Sequence, residues 1–187
     1  MTAGKRPFVC ALACTIVLLV LPSRAGAQEK IDPMAGTIVQ WFTMIEKEFV
    51  PLADAMPADK WGFKPASGEF RGVRTFAEQV KHVACANFAF YNEIEHKTPP
   101  AHCEEGGPNP AKTKAEIMAY LRESFAYASR VLKTLTPANA LDPASGEYGG
   151  KSTRLGITTL SIWHASDHYG QLVVYLRMNG IVPPASQ

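Results

Sequence analysis

Four segments of the 187-residue chain repeat apolar residues at spacings of three and four, and this pattern constrains the fold more than any other feature. Stretches rich in proline, glycine and other turn formers separate the segments, and no strand-like alternation or internal repeat competes with them. Helices of this kind bury their apolar stripes against one another. The sequence therefore predicts an all-α fold, a four-helix bundle with two long connections.

The helices can be placed approximately from the same spacing. Thr75 and Glu78 form a capping-box pattern, which indicates where the second helix begins. Its apolar stripe is expected to include Val80, and the stripe of the first helix to include Trp41. The first three helices are predicted at residues 34–55, 75–96 and 114–135, and the fourth follows a long loop and contains residues 158–176.

The amino-terminal 27 residues have the composition of a secretory signal peptide. Lys5 and Arg6 precede an uncharged apolar run at residues 8–21, which is too short for a typical membrane-spanning helix. The small residues at 25–27 fit an A-x-A cleavage site. An uncleaved anchor is the alternative, although no stop-transfer sequence follows. We predict export to the periplasm or outside the cell, with no stable membrane insertion after cleavage.

Cleavage of a signal peptide at residues 1–27 would change what the composition implies. It would leave one domain at residues 28–187 with 16 basic and 17 acidic residues, whereas the whole chain has a net charge of +2. A nearly neutral domain lacks the electrostatic footprint of a nucleic-acid-binding protein. The expected partner is a small-molecule substrate of unknown identity, and the sequence leaves a homodimer open.

Two cysteines remain in the predicted mature domain, Cys85 inside the second helix and Cys103 in the loop that follows it. An exported protein permits a disulfide between them. Their separation, one in a helix interior and one well past its end, instead favours a buried thiol and a surface thiol. Whether they pair is left open.

The segment TTLSIWHASDHYGQLVVYL, at residues 158–176, places His164 and His168 one helical turn apart in a largely apolar run. Burying two imidazoles without partners would cost several kcal/mol. A divalent metal ion would satisfy both, because residues at i and i+4 share a helix face. Core histidines hydrogen-bonded to the backbone or to Asp167 are the alternative. The face expected to point into the core carries Ile157, Leu160, His164, His168, Gln171 and Tyr175.

A third ligand has to come from another helix, and His82 is the candidate because it lies in the interior of the second helix. His96 lies at a helix end and His102 in a loop. His82 is about 200° around the helix from Val80, so a partly exposed surface histidine is the alternative. A zinc-protease motif is excluded, because Ala165 stands where that motif has glutamate.

Two sequence blocks carry a family resemblance. The link before the second helix matches a Trp-x-x-x-Pro-x-x-Gly-Glu pattern that leads to a ligand histidine, at Trp61, Pro65, Gly68, Glu69 and His82. The block HASDHYGQL matches a His-x-x-x-His-x-Gly-Gln signature at His164, His168, Gly170 and Gln171. Both resemble the DinB/YfiT-like family of metal-dependent enzymes.

The resemblance implies an up-down-down-up bundle in which His82, His164 and His168 bind Zn, Ni or a similar divalent ion with open positions. Gly170, inside a helix, additionally predicts close packing. Asp167 replaces a histidine that many members have before the second ligand. Tyr169 replaces the arginine that many members have after it, so the substrate is expected to differ.

The leading prediction is an exported metal-dependent hydrolase. Its general base is not identified, and Asp167, Glu78 and Tyr169 are the candidates. A metal-dependent thiol S-transferase is the alternative enzyme, although relatives with that activity use cytosolic thiols. A non-catalytic metal-binding or interaction module is the other alternative, and a fourth protein ligand such as Cys85 would favour it.

Overall fold

Four long α-helices make up most of the computed structural model, which describes residues 1, 2, 4 and 31–187. The predicted signal peptide and its cleavage site lie outside the described residues. None of the helices among the described residues combines the length and apolarity that crossing a bilayer requires. The prediction of a helical fold is confirmed, with α1 at Pro33–Ala55, α2 at Phe76–Ile94, α3 at Lys114–Leu132 and α4 at Arg154–Met178.

Reciprocal side-chain caps determine where α2 and α3 begin. The Thr75 hydroxyl accepts a hydrogen bond from the Glu78 amide (3.2 Å), and the Glu78 carboxylate accepts one from the Thr75 amide (2.7 Å). Thr113 and Glu116 form the same capping box at the start of α3. Each box satisfies amide groups that the first helical turn leaves without intrahelical partners. The capping box predicted at Thr75 is therefore confirmed.

The helix α2 is the most enclosed helix of the bundle. It packs against α3 and α4, and α1 packs against the same two helices, so α1 and α2 are diagonal neighbours. Residues on nearly every side of α2 are buried, including Val80 on its apolar stripe and His82 on the other side. The wheel position of His82 is thus compatible with burial, because this helix has almost no solvent-facing side.

An aromatic cluster forms the core between α1, α2 and α3. Phe42 contacts both Tyr91 and Phe125, with ring centroids 5.8 and 5.3 Å apart, and Phe49 also packs on Phe125. Trp41 was predicted to join this core, and that prediction is wrong, because its side chain is 54% exposed. It lies about 100° around α1 from Phe42, beyond the face that α3 and α4 cover.

The inward face of α4 differs from the predicted one. Gln171 is exposed, and Leu160 and His164 are only partly buried. Small side chains at Ser161 and Ala165 instead let the helix approach α2 closely, and the hydroxyls of Ser161 and Tyr91 share a 2.7 Å hydrogen bond. The buried residues of α4 are Ile157, Thr158, Ser161, Ala165, His168, Leu172, Tyr175 and Leu176.

A two-stranded antiparallel hairpin precedes α4, and the sequence did not predict it. The strands β1 (Pro143–Gly146) and β2 (Gly150–Thr153) pair over four residues each. Such short strands give too little alternation to recognise. Because β2 leads directly into the helix, α4 begins at Arg154, before the residues 158–176 that the sequence assigned to it.

A buried glutamate fastens this hairpin to α2. Glu93 is only 2% exposed, and its carboxylate accepts hydrogen bonds from the amides of Tyr148 and Gly149, both at 2.8 Å. A β-carbon at Gly146 or at Gly149 would overlap the Glu93 side chain. The turn can therefore approach α2 this closely only because both positions are glycine.

The structure joins Cys85 and Cys103 in a disulfide, with Cα atoms 5.2 Å apart and both residues fully buried. The expectation of two separate thiols is wrong. The loop after α2 turns back on the helix, with His96 and His102 both in the left-handed region at φ 56° and 57°. This reversal brings Cys103 back beside Cys85, which separation along the sequence alone does not reveal.

Candidate metal centre

The three histidines singled out from the sequence meet at one point between two helices. His82 comes from α2, and His164 and His168 come from α4. Their ring centroids are 4.5 to 5.0 Å apart, and one ring nitrogen from each lies within 4.8 Å of the others. His96 and His102 are exposed and do not belong to this group. The structure thus brings together the predicted ligands and leaves out the two other histidines.

The orientation of the His82 ring is set by a backbone carbonyl. Its Nδ1 lies 2.7 Å from the carbonyl oxygen of Cys103. A carbonyl oxygen can only accept, so Nδ1 carries the proton, and Nε2 keeps a free lone pair in the neutral ring. Nε2 points to the centre of the group, 3.0 Å from Nε2 of His164. His82 is therefore held in the tautomer that a metal ligand at Nε2 needs.

The geometry fits a divalent ion. Two nitrogens bound tetrahedrally at 2.0 to 2.1 Å from zinc lie about 3.3 Å apart, close to the 3.0 Å between His82 and His164. Within the described residues, no fourth Cys, His, Asp or Glu joins the group. The sulfur of Cys85, a predicted fourth-ligand candidate, is bonded to Cys103 instead. Three imidazoles with an open position suit Zn, Ni or a similar ion.

Burial keeps the three rings neutral. Burial, followed by the neighbouring imidazoles, lowers the pKa of His164 to about 3 and that of His168 to about 4. Burial also lowers the pKa of His82, although the hydrogen bond to the Cys103 carbonyl opposes this. All three are therefore unprotonated near pH 7 and offer lone pairs. Nδ1 of His164 and of His168 is buried without a hydrogen-bond partner among the described residues, so only His82 is anchored through its second nitrogen.

An ion pair that the sequence did not suggest lies beside the histidines. Arg74 precedes α2, and its guanidinium donates from Nε and Nη2 to the Glu104 carbonyl oxygen at 3.0 and 2.8 Å. It also pairs with the Glu104 carboxylate. Arg74 contributes to lowering the pKa of His168, and Glu104 contributes to raising it, which places both charges near the site. They lie in a link and a loop, where no spacing pattern connects them.

The three candidates for the general base have different surroundings. The Glu78 carboxylate caps α2 and is occupied there. Tyr169 is half-buried, and its pKa is raised by burial and then by Glu48 of α1, which lies near it. Asp167 is exposed, and its charge raises the pKa of His168. Of the three, Asp167 is the one whose charge acts on His168, and only one of its carboxylate oxygens accepts a hydrogen bond among the described residues.

A row of hydrogen bonds connects Asp167 to α2. Gln171 donates from Nε2 to the Asp167 carboxylate (2.8 Å), and Gln79 donates from Nε2 to the Gln171 side-chain oxygen (2.7 Å). Gln79 is 3% exposed, and the sequence did not single it out. Because it precedes His82 by three residues, it lies on the same face of α2.

Of the remaining motif residues, Trp61 supports the start of α2. Trp61 is buried, donates from its indole nitrogen to the Met56 carbonyl (2.9 Å) and packs on Phe76. Pro65 is buried, Gly68 takes φ +106°, and Glu69 is exposed and pairs with Arg71. Gly170 is exposed with open space around it, so its predicted close-packing role is wrong.

Comparison with known proteins agrees with the fold. The family model of the DinB superfamily matches residues 42–172, a range that contains all three histidines. The chain belongs to the DinB superfamily. It is also similar to the crystal structure of a DinB-like protein, YjoA, from Bacillus subtilis, with 23% identity and a TM-score of 0.59 over 77% of this chain and 92% of that one. At this identity the likeness shows the fold. The comparison with curated proteins gives no match.

Proposed function

We propose that this DinB-superfamily chain binds one divalent ion, Zn or Ni, through His82, His164 and His168, and that it is an exported metal-dependent hydrolase. The observation that carries the proposal is the meeting of three neutral imidazoles from two helices with no fourth protein ligand among the described residues. A closed set of four ligands is typical of structural zinc, whereas three ligands and an open position are typical of catalytic zinc.

The residues around the histidines have separate roles in this proposal. A divalent ion held there supplies Lewis acidity, which makes water nucleophilic near neutral pH. Asp167 accepts the proton of the attacking water, since its carboxylate is exposed beside His168 and is held by Gln171. The Cys103 carbonyl keeps the His82 ring in its binding tautomer. The substrate is a small molecule, and no nucleic acid is involved.

The disulfide supports export. Structural disulfides persist in oxidising compartments and are rare in the cytosol. Together with the signal-like residues 1–27, the Cys85–Cys103 bond favours a periplasmic or secreted protein. This makes a thiol S-transferase less favourable, because the cytosolic low-molecular-weight thiols would be absent there.

Metal analysis with an activity screen tests the proposal. The purified protein should contain about one Zn or Ni per chain, and alanine at His82, His164 or His168 should remove it. Hydrolysis of model carboxylic, amide and phosphate esters should disappear with a chelator. Asp167→Asn should reduce hydrolysis with metal content unchanged. A metal-loaded protein that hydrolyses none of these, and whose fold collapses on chelation, would instead be a metal-stapled binding module.

A further inference from the structure

The loop that follows α2 contains the Cys103 carbonyl, which accepts a hydrogen bond from the second ring nitrogen of His82; among the described residues, His164 and His168 have no such partner. We name residues 97–107 the anchor loop. We propose that the Cys85–Cys103 disulfide and Tyr148 are positioning elements for His82, because they hold the Cys103 carbonyl against Nδ1 of that ring. The proposal rests on the three-histidine site as a metal site, but it also makes a claim about the metal-free protein.

The disulfide links the helix that carries His82 covalently to the residue whose carbonyl accepts the hydrogen bond from its ring. His82 and Cys85 are three residues apart on α2, so they lie on one face of the helix. The Cys85 sulfur is bonded to the same residue whose carbonyl accepts from His82. Few rotatable bonds separate the imidazole from the carbonyl, so movement elsewhere in the loop does not carry the carbonyl out of reach.

Tyr148, from the hairpin turn, fastens the same residue from the other side. Its hydroxyl accepts a hydrogen bond from the Cys103 amide (3.3 Å) and donates one to the Pro100 carbonyl (3.1 Å). The Tyr148 amide is in turn held by the buried Glu93. Cys103 is therefore held through its amide, its carbonyl and its sulfur, which is more than the packing of an ordinary surface loop requires.

The backbone of the anchor loop is shaped for this attachment. His102 has φ 57°, which is uncommon for a residue other than glycine, and Gly106 and Gly107 have φ 88° and 76°. A β-carbon at Gly107 would overlap the Cys85 sulfur. A conformation of this kind persists where the surrounding structure imposes it. The disulfide and Tyr148 supply that constraint.

His82 needs an anchor more than the other two histidines. His164 and His168 share α4, so that one helix fixes their separation, whereas His82 approaches alone from α2. Without the carbonyl, the proton of the His82 ring could move to Nε2, which would remove the lone pair that faces the other rings. Loss of a group that is hydrogen-bonded to a metal-ligating histidine typically weakens metal binding by about 10- to 100-fold.

The anchor can be released chemically. A dithiol reductant transfers two electrons and two protons to the disulfide, so that Cys85 and Cys103 become thiols and the dithiol becomes a disulfide. Reduction should therefore weaken metal binding at a site that contains no cysteine ligand. Cys85→Ala/Cys103→Ala removes the bond without leaving thiols that could bind metal themselves.

The experiment measures zinc affinity by competition with a chromophoric chelator, and the tautomer of His82 by ¹⁵N NMR of the metal-free protein. The alanine pair should bind zinc about 10- to 100-fold more weakly and lose the Nδ1-protonated tautomer as the dominant form. Tyr148→Phe, which keeps the disulfide, should shift both readouts in the same direction by a smaller factor. Tyr127→Phe is the matched control, because its hydroxyl contacts Asn92 and Glu95 outside the anchor loop.

Two results would overturn the proposal. One is an alanine pair that is folded by circular dichroism and keeps wild-type affinity and tautomer. The other applies if the alanine pair does not fold: it is a Tyr148→Phe variant whose zinc affinity and His82 tautomer equal those of Tyr127→Phe. Absence of zinc binding in the wild type would refute the proposed function instead, and the metal-free tautomer would still decide whether His82 is positioned by the anchor loop.

Discussion

Chelation of the ion, combined with substitution of one histidine ligand, distinguishes a catalytic ion from an ion that the fold requires. We expect chelation of the wild-type protein to leave a helical protein that melts cooperatively, because the aromatic core around Phe42 and Phe125 does not involve the histidines. Adding zinc back should raise the melting temperature. His164→Ala should abolish this rise, because it removes one of the three ring nitrogens.

The size of the rise follows from mass action. A ligand that binds only the folded state at 100 times its Kd stabilises it by about 2.7 kcal/mol. For a domain of this size, each kcal/mol moves the melting temperature by about 2 to 4 °C, so we expect a rise of about 5 to 11 °C. In the metal-free state His164→Ala has opposing effects. It removes a buried nitrogen that has no hydrogen-bond partner within the described residues, which stabilises the folded state by about 1 to 3 kcal/mol. It also removes the packing of the ring against Phe90, which destabilises the folded state.

Calorimetry with and without zinc, after treatment with a chelator, measures these differences. His96→Asn is the matched control, because His96 is exposed in the left-handed region and asparagine tolerates that conformation. Its metal-dependent rise should equal that of the wild type. Complete unfolding by the chelator at room temperature would refute the reasoning and make the ion a structural staple. A full rise in His164→Ala would remove that residue from the ligand set.

Three further predictions concern stability and disulfide formation. Between pH 7 and pH 5, the free energy of unfolding of the metal-free protein should fall by about 1 to 2 kcal/mol for each of His164 and His168, as measured by urea denaturation. Their folded pKa values of about 3 and about 4 lie below the unfolded value, so the unfolded chain binds protons first as the pH falls. Glu93→Gln should cost about 1 to 3 kcal/mol and increase hydrogen exchange at the Tyr148 amide, since an amide cannot accept both hydrogen bonds as well as a carboxylate does. Gly107→Ala should lower the yield of the oxidised protein in a thiol titration, because its β-carbon overlaps the Cys85 sulfur.

The parts of this molecule that the sequence predicted depend on local spacing. The capping box at Thr75 uses residues three apart, and the pairing of His164 with His168 uses residues four apart. Both distances are set by one helix, so they follow from the sequence as soon as the helix does. His82 was the candidate third ligand because it lies inside the second helix, but helix periodicity placed it away from the apolar stripe. Only the family resemblance favoured a ligand over a surface histidine.

The parts that were missed depend on contacts between distant segments. The Cys103 carbonyl reaches His82 because the loop reverses direction at His102, and no residue pattern encodes which carbonyl will face the ring. The buried face of α4 differs from the predicted one because Ser161 and Ala165 allow α4 to approach α2 closely, although neither residue is strongly apolar. Apolar periodicity favours large side chains and so underestimates positions where a small residue permits two helices to touch.

The location of the histidines within the bundle confines the stability cost of their buried polar groups to one interface. Large apolar side chains fill the space between α1, α2 and α3, where Phe49, Tyr91 and Phe125 are fully buried. Between α2 and α4, small and polar groups such as Ser161 and His168 lie beside the apolar side chain of Phe90. The disulfide and the Glu93 contacts then fasten the loops that cover this less apolar interface. Under the proposed function, the aromatic core and the ion-binding residues therefore lie in different parts of the bundle, so removal of the ion would leave the aromatic core holding the helices in place.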